Sequence, residues 1–438
     1  MTNKTNASNN TTAANETAAF EDQAVKGVGS SAEKIFGGMA KPMFKNKGGK
    51  KSPLSIALLA VFMVLLFVAP IYLQGMNEMY LLSSMILIGL FTISALGLNI
   101  VVGYAGMLDF GRMAFYAVGA YSAAIIAIPV AGLLGPTLEM WTFPFALIFA
   151  GLMAAFVGWI LSLPVMRLRG DYLAIVTLGF GEIVRITIQN NPFGLTNGML
   201  GLPNRGDTIP APPFLDWLRE TVHWSINDLN FHFMVTRNVY WYYVILIVLI
   251  LAVIIIRRLD HSRLGRSWAA MREDEVAATA MGVNVTKAKT WAFVLGSFWG
   301  GIAGACFVFQ MGAVSPEPFN FFNSVIVLAV VVIGGMGSIP GVLLGGVLIL
   351  GFPEFIRWFA MNHLTEAGGG IPDLVSNLRN LLLGLFMVLM MIFRTKGLIP
   401  MKSKFYNLYG KGKSDKGDSV GSATGTVAEA APKGGAGS

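Results

Sequence analysis

About ten apolar runs, most close to the roughly 20 residues an α-helix needs to cross a bilayer, follow one another between Leu54 and Phe393. Hydrocarbon offers no water to backbone amides and carbonyls, so runs of that length must coil and close their own hydrogen bonds. The expected class is an all-α integral membrane protein of about ten transmembrane helices. Composition agrees: 54% of residues are hydrophobic, 13% are charged and the mean hydropathy is +0.62, too apolar for a soluble chain of 438 residues.

Charge then orients the helices. The net charge of +8 comes from lysines and arginines just outside the apolar runs, which points to membrane topology rather than to nucleic acid. Lys45, Lys47, Lys50 and Lys51 precede a first run at Leu54 to Leu73 and hold the N-terminus inside. Runs follow at Tyr80 to Val102, Met113 to Leu134, a fourth opened by Trp141 and Pro144 and closed near Val165, and Tyr172 to Asn190, with Arg167 and Arg169 as an inside turn. A loop over 191–239 falls outside, and Tyr240 to Ile256 returns to Arg257 and Arg258. Trp291 to Met311, a short Val325 to Ile333, Gly341 to Phe359 and Leu378 to Phe393 complete the set, ending at Arg394, Lys396, Lys402 and Lys404. Both termini are thereby expected in the cytoplasm.

The expected domains are a disordered tail at 1–51, a transmembrane domain at 52–400 and a basic tail rich in Gly and Ser at 401–438. The start of the chain has no apolar core of the kind a cleavable signal carries. The single cysteine, Cys306, reads as a small buried thiol in an apolar segment.

One passage in the middle cannot cross. From Arg263 to Trp291 the chain carries Arg263, Arg266, Arg272, Glu273, Asp274 and Glu275, and each charge costs roughly 2.5–3.5 kcal/mol at a helix centre in hydrocarbon. Trp268, Met271, Val276, Ala280 and Met281 recur at helical offsets, so the passage reads as one amphipathic helix at the membrane surface, ended by Gly282 and Asn284. It serves either to dock another protein or to connect spans across lipid headgroups. The topology count places it in the cytoplasm, at 263–289.

Glycine-rich passages interrupt the helices at Gly103 to Gly111 and at Gly334 to Gly341. Placed in the two halves, they hint at an inverted repeat of five plus five spans about a central pathway. Gly334, Gly335 and Gly337 either expose carbonyls to a solute or permit a tight turn and close packing. Two charge pairs admit similar alternatives. Glu182 and Arg185 share a helical face and either line the pathway or neutralise each other near the helix end. Asp109 and Arg112 form either a gating turn or a helix cap. Gly296, Gly300 and Gly304, at four-residue spacing, make a smooth helix face. The four histidines, His223, His232, His261 and His363, lie apart, so no metal site is expected, and no Walker A sequence occurs. Transport against a gradient would draw its energy from another chain.

Glu275, Ala277, Ala278 and Gly282 resemble the EAA loop of bacterial ABC-importer permeases, with Val276 intervening where the familiar spacing sets the glutamate beside the alanines. The stretches RLRGDYLAIVTLGFGEIVR (Arg167 to Arg185), GGMGSIPG (Gly334 to Gly341) and GYAGMLDFGRMAFYAVGAY (Gly103 to Tyr121) are similar to the branched-chain amino acid permease family, in its LivM-type subunit. The resemblance implies an ABC-importer permease fold and a non-catalytic transport subunit in the bacterial inner membrane, passing branched-chain amino acids. Its implied partners are a second, LivH-like permease, two ATP-binding subunits and a periplasmic binding protein. ATP and Mg would bind on the ATP-binding subunits, with no cofactor on this chain. Arg266, Arg272, Glu275, Ala277, Ala278 and Gly282 would couple to the ATPase. Asp109, Arg112, Glu182, Arg185, Gly334, Gly335 and Gly337 are the candidates for pathway or gate. Urea, amides or other amino acids are the alternative cargoes, and a self-sufficient carrier or channel is the alternative mechanism.

Overall fold

The computed structural model describes residues 79–134, 142–203 apart from 167 and 169, and 237–363, with short pieces at 69–73, 384–388 and 397–399. The expected first and last spans, both tails and the loop at 204–236 fall wholly or largely outside the described residues.

Eight of the expected runs are helical. Helix α1 is Met79–Asn99, prolonged by a π turn at Ile100–Tyr104; α2 is Arg112–Leu134, α3 Thr142–Val165, α4 Asp171–Gln189 and α5 Arg237–Asp260. After two short helices in the polar passage, α6 (Arg263–Glu273) and α7 (Glu275–Ala280), come α8 (Val285–Met311) and α9 (Phe321–Gly334). The last run is split into α10 (Ile339–Gly346), a π turn at Val347–Gly351 and α11 (Phe352–His363). Six of these helical stretches are long and apolar enough to cross a membrane, with shorter apolar helices at Arg112–Ala127 and Phe321–Gly334. The protein is a multi-pass membrane protein whose spans are helical.

Helix α8 is the hub, packed against α1, α2 and α3. Its small residues allow this. A Cβ on Gly304 would lie 2.0 Å from the Tyr116 carbonyl oxygen, and one on Gly119 would lie 2.3 Å from Gly301 Cα. Backbones this close leave room for hydrogen only, and dispersion between them replaces the absent hydrophobic drive of the bilayer interior. Beyond α4 and α8, a two-residue antiparallel ladder pairs Leu202 with Val314 and Pro203 with Ala313, tying the two loops together.

Boundaries moved where polar residues cap helices. Helix α9 begins at Phe321 rather than Val325, because the Asn320 side chain accepts from the Asn323 amide at 3.0 Å. The polar passage is two helices and not one. Asp274 sits in extended backbone between them, and its carboxylate accepts from the Val276 and Ala277 amides at 2.7 and 3.1 Å. A cap in mid-passage redirects the chain, so the apolar residues split: Trp268 and Met271 are buried, whereas Val276 and Met281 face outward. Gly282, at φ +85, does end the passage, but Asn284 opens α8 by accepting from the Lys287 amide at 2.9 Å.

Element order also revises the repeat. A long helix, a break without α-helix and a further helix occur in direct succession at α1, 105–111 and α2, and again at α8, 312–320 and α9. By order, the counterpart of the first glycine passage is the loop after α8. The passage at Gly334 to Gly341 is instead the first passage's neighbour.

Candidate coupling site at the helix breaks

The two glycine passages meet. Asn99, buried in the last turn of α1, accepts from the Gly337 amide at 2.8 Å across the helix bundle. A Cβ on Gly103 would lie 2.1 Å from Asn99 Oδ1 and 2.4 Å from the Gly337 nitrogen, so this seam admits no side chain at 103. Gly337 itself has φ +84, a conformation that costs any side-chain-bearing residue.

The polar passage grips the same seam. Arg272, in the last turn of α6, donates from Nη1 to the Gly103 carbonyl oxygen at 2.6 Å. Its aliphatic stem lies over Gly106, where φ is +73 and a Cβ would meet Arg272 Cγ at 3.0 Å. A π turn leaves carbonyls without their usual partners, and a guanidinium can satisfy one with a charge-assisted bond.

Two further contacts fix the passage to α8. Glu275 pairs with Lys289 at 2.7 Å, and the Lys289 side chain is only 6% exposed. Trp268, fully buried, donates from Nε1 to the Ala288 carbonyl oxygen at 2.8 Å. Ala278 is buried as well. Of the six expected coupling residues, Glu275 and Ala278 are at least partly buried, while Arg266, Arg272, Ala277 and Gly282 are exposed, Arg272 even as its guanidinium reaches Gly103. Val276 and Met281 stand beside Ala277 and Gly282, 67% and 84% exposed. Their apolarity was visible in the sequence, but a single-helix register assigned it to the wrong side.

At the second passage, the Leu398 and Ile399 amides donate to the Ile333 and Gly334 carbonyl oxygens at 2.8 and 3.1 Å. A Cβ on Gly335 would lie 2.4 Å from the Ile399 carbonyl oxygen, and one on Gly341 would lie 2.3 Å from that of Gly334. Gly334 and Gly335 permit a tight turn and close packing here. Ser338 accepts from the Gly341 amide and caps α10.

Asp109 and Arg112 are fully buried at the start of α2. Arg112 donates from Nε to Ser94 Oγ at 3.1 Å and from Nη1 to the Gly296 carbonyl oxygen at 2.8 Å. Its guanidinium is walled by glycines: a Cβ on Gly97 would lie 2.1 Å from Nη2, and one on Gly300 3.3 Å from it. Arg112 is a cross-link from α2 to α1 and α8. Asp109 accepts from the Gly111 amide at 2.9 Å, and the Phe110 amide donates to Thr177 Oγ1 of α4 at 3.1 Å. This connection closes on α4, and on α9 through the bond from the Met113 amide to Ser324 Oγ.

Glu182 and Arg185 lie apart from the seam. They form an ion pair on α4, with side chains 38% and 25% exposed. Sequence reasoning passed over Asn99 and Lys289, both polar residues at helix ends. It also passed over Glu354, a buried acid in α11 that accepts from the Tyr80 hydroxyl. An ionisable residue inside an apolar run was the available signal for Glu354.

Comparison with known proteins places this geometry. A family model described as the branched-chain amino acid transport system permease component matches residues 80–391. The high-affinity branched-chain amino acid transport system permease protein LivM of Salmonella typhimurium is 39% identical over 319 residues, covering 71% of this chain and 68% of that protein. A probable LivM of Methanocaldococcus jannaschii is 26% identical, with 75% and 99% covered. LivH of Salmonella typhimurium, another permease protein of such a system, is 27% identical over 60% of this chain and 80% of its own length. No solved structure matches. With buried helix breaks, an intramembrane glycine hub and a family match over most of its length, the chain belongs to the branched-chain amino acid transport system permease component family.

Proposed function

We propose that this chain is one of two permease subunits of an ATP-driven importer in the inner membrane, with both termini in the cytoplasm, and that it passes branched-chain amino acids. The observation that carries the reading is the two-sided polar passage. Its outer side presents Val276, Ala277, Ala280 and Met281, while its inner side holds the Gly103 carbonyl through Arg272. Apolar residues on a water-facing segment are a docking surface, here for a cytoplasmic ATP-binding subunit that carries ATP and Mg. The 438 residues hold no Walker A sequence of their own. Movement of a docked ATPase displaces α6 and α7, Arg272 transmits it to the first break, and the Asn99 bond passes it to Gly337 and the α9–α10 turn. A periplasmic binding protein delivers the substrate.

The second permease, LivH-like, packs beside α4. Among the six span-length helices α4 is the least buried, yet it carries Glu182 and Arg185 about 10 and about 6 Å from its last residue. An ion pair at that depth is costly against hydrocarbon and is favoured facing a partner subunit and a wet pathway.

The test is reconstitution. With a binding protein, a second permease and ATPases, proteoliposomes should accumulate labelled leucine, isoleucine or valine only with ATP, and unlabelled urea or amides should not compete. Accumulation by the chain alone would make it a secondary carrier and overturn the reading.

A further inference from the structure

A groove of about 420 Å³ runs between α3 and α8 at the end of the bundle that bears the polar passage, within the roughly 300–1,000 Å³ typical of ligand sites. Leu152, Phe156 and Trp159 form one wall, and Thr290, Trp291 and Val294 form the other. The groove opens on the outer surface of the bundle, since Phe156, Trp159 and Trp291 are each about half exposed. It is almost wholly apolar. The Thr290 hydroxyl donates to the Thr286 carbonyl oxygen at 3.0 Å, so its proton is committed within α8. Phe156 and Trp159 stack, with centroids 6.1 Å apart, and hold the first wall in shape.

The face of α8 that bears Trp291 carries a cation in its first turn. Lys287 lies four residues before Trp291, hence one turn away on the same face of α8, in the helix's exposed first turn. The neighbouring Lys289 is committed to Glu275, whereas among the described residues Lys287 makes no ion pair. Helix amides add partial positive charge at this terminus. Two tryptophans at one depth with a lysine one turn beyond mark a membrane interface, where indole rings sit at headgroup level.

We propose that the groove binds an anionic phospholipid, one acyl chain lying between α3 and α8 and its phosphate on the Lys287 ammonium. The apolar walls select a chain and the Lys287 cation selects a negatively charged headgroup over a zwitterionic one. Lys289, two residues from both Lys287 and Trp291, turns to the opposite face of α8 and holds Glu275 of α7 there. The site requires only that the chain spans a membrane; its assignment to the cytoplasmic leaflet rests on the proposed function.

The test is quenching of tryptophan fluorescence by brominated lipids, with the full chain assembled with its companion subunits in nanodiscs. Subtracting the spectrum of a Trp159→Phe, Trp291→Phe variant isolates the groove signal. Dibrominated phosphatidylglycerol should quench that signal at a several-fold lower mole fraction than dibrominated phosphatidylcholine, and Lys287→Glu should abolish the difference. Equal quenching by both lipids, or a preference that survives Lys287→Glu, overturns the proposal. Protection of the groove from both lipids shows a companion subunit seated there, and overturns it equally. The assay needs neither transport nor ATP, so its failure would leave the importer reading standing.

Discussion

Arg272 and Gly103 are 169 residues apart, yet the guanidinium of one donates to the carbonyl oxygen of the other at 2.6 Å. Through Gly103 the contact extends to Asn99 and Gly337, so three segments distant in sequence share one buried seam. The proposed coupling route enters the bundle at this seam.

Arg272→Ala should separate docking from coupling. Loss of a hydrogen bond to a charged donor is worth about 1.5–3 kcal/mol, enough for roughly a tenfold or greater fall in ATP-driven uptake. Because Arg272 bonds inward, the ATP-binding subunit should still copurify at its usual ratio. Uptake and copurification measured on the same preparation check both halves, and loss of the ATPase from the complex would assign Arg272 to the docking surface instead.

Val276→Asp and Met281→Asp should do the reverse. Both side chains are largely exposed, so the substitutions should leave the melting temperature of the isolated permease unchanged. Each places a charge in an apolar contact, and the fraction of permease that retains an ATP-binding subunit after size-exclusion chromatography should fall severalfold. An unaltered fraction would remove this surface from the docking site.

Gly103→Ala should be among the most damaging single methyl additions. The new Cβ would fall 2.1 Å from Asn99 Oδ1 and 2.4 Å from the Gly337 nitrogen, breaking the bond between the two passages. Overpacking of this kind costs about 1–3 kcal/mol or more. Thermal unfolding in detergent should move down by several degrees, whereas Gly179→Ala, where nothing lies within 4 Å, should leave it in place.

The Glu275 to Lys289 pair should show strong coupling in a double-mutant cycle. Lys289→Met removes a cation from beside a partly exposed acid, which is tolerable, but Glu275→Gln leaves a nearly buried ammonium without its counter-charge, at about 1–3 kcal/mol. The double variant should be more stable than Glu275→Gln alone. Additive effects would show that the pair contributes nothing to fastening α7.

The membrane class and the position of eight expected runs were legible in the chain, because hydrocarbon imposes a fixed length and an apolar composition on whatever crosses it. So was the non-spanning passage, since Arg266, Arg272 and Glu275 are too close together for lipid. The glycine passages were legible as breaks. What they touch was not: the Asn99 to Gly337 bond joins residues 238 apart, and no local pattern encodes such a contact. The direction of each side chain in the polar passage was likewise beyond sequence. One carboxylate, that of Asp274, caps α7 and turns it, and this sends Val276 outward while Glu275 reaches α8. Periodicity fixes which residues share a face of a given helix, but only the packed bundle decides where one helix stops, which face turns inward, and which buried carbonyl an arginine finds.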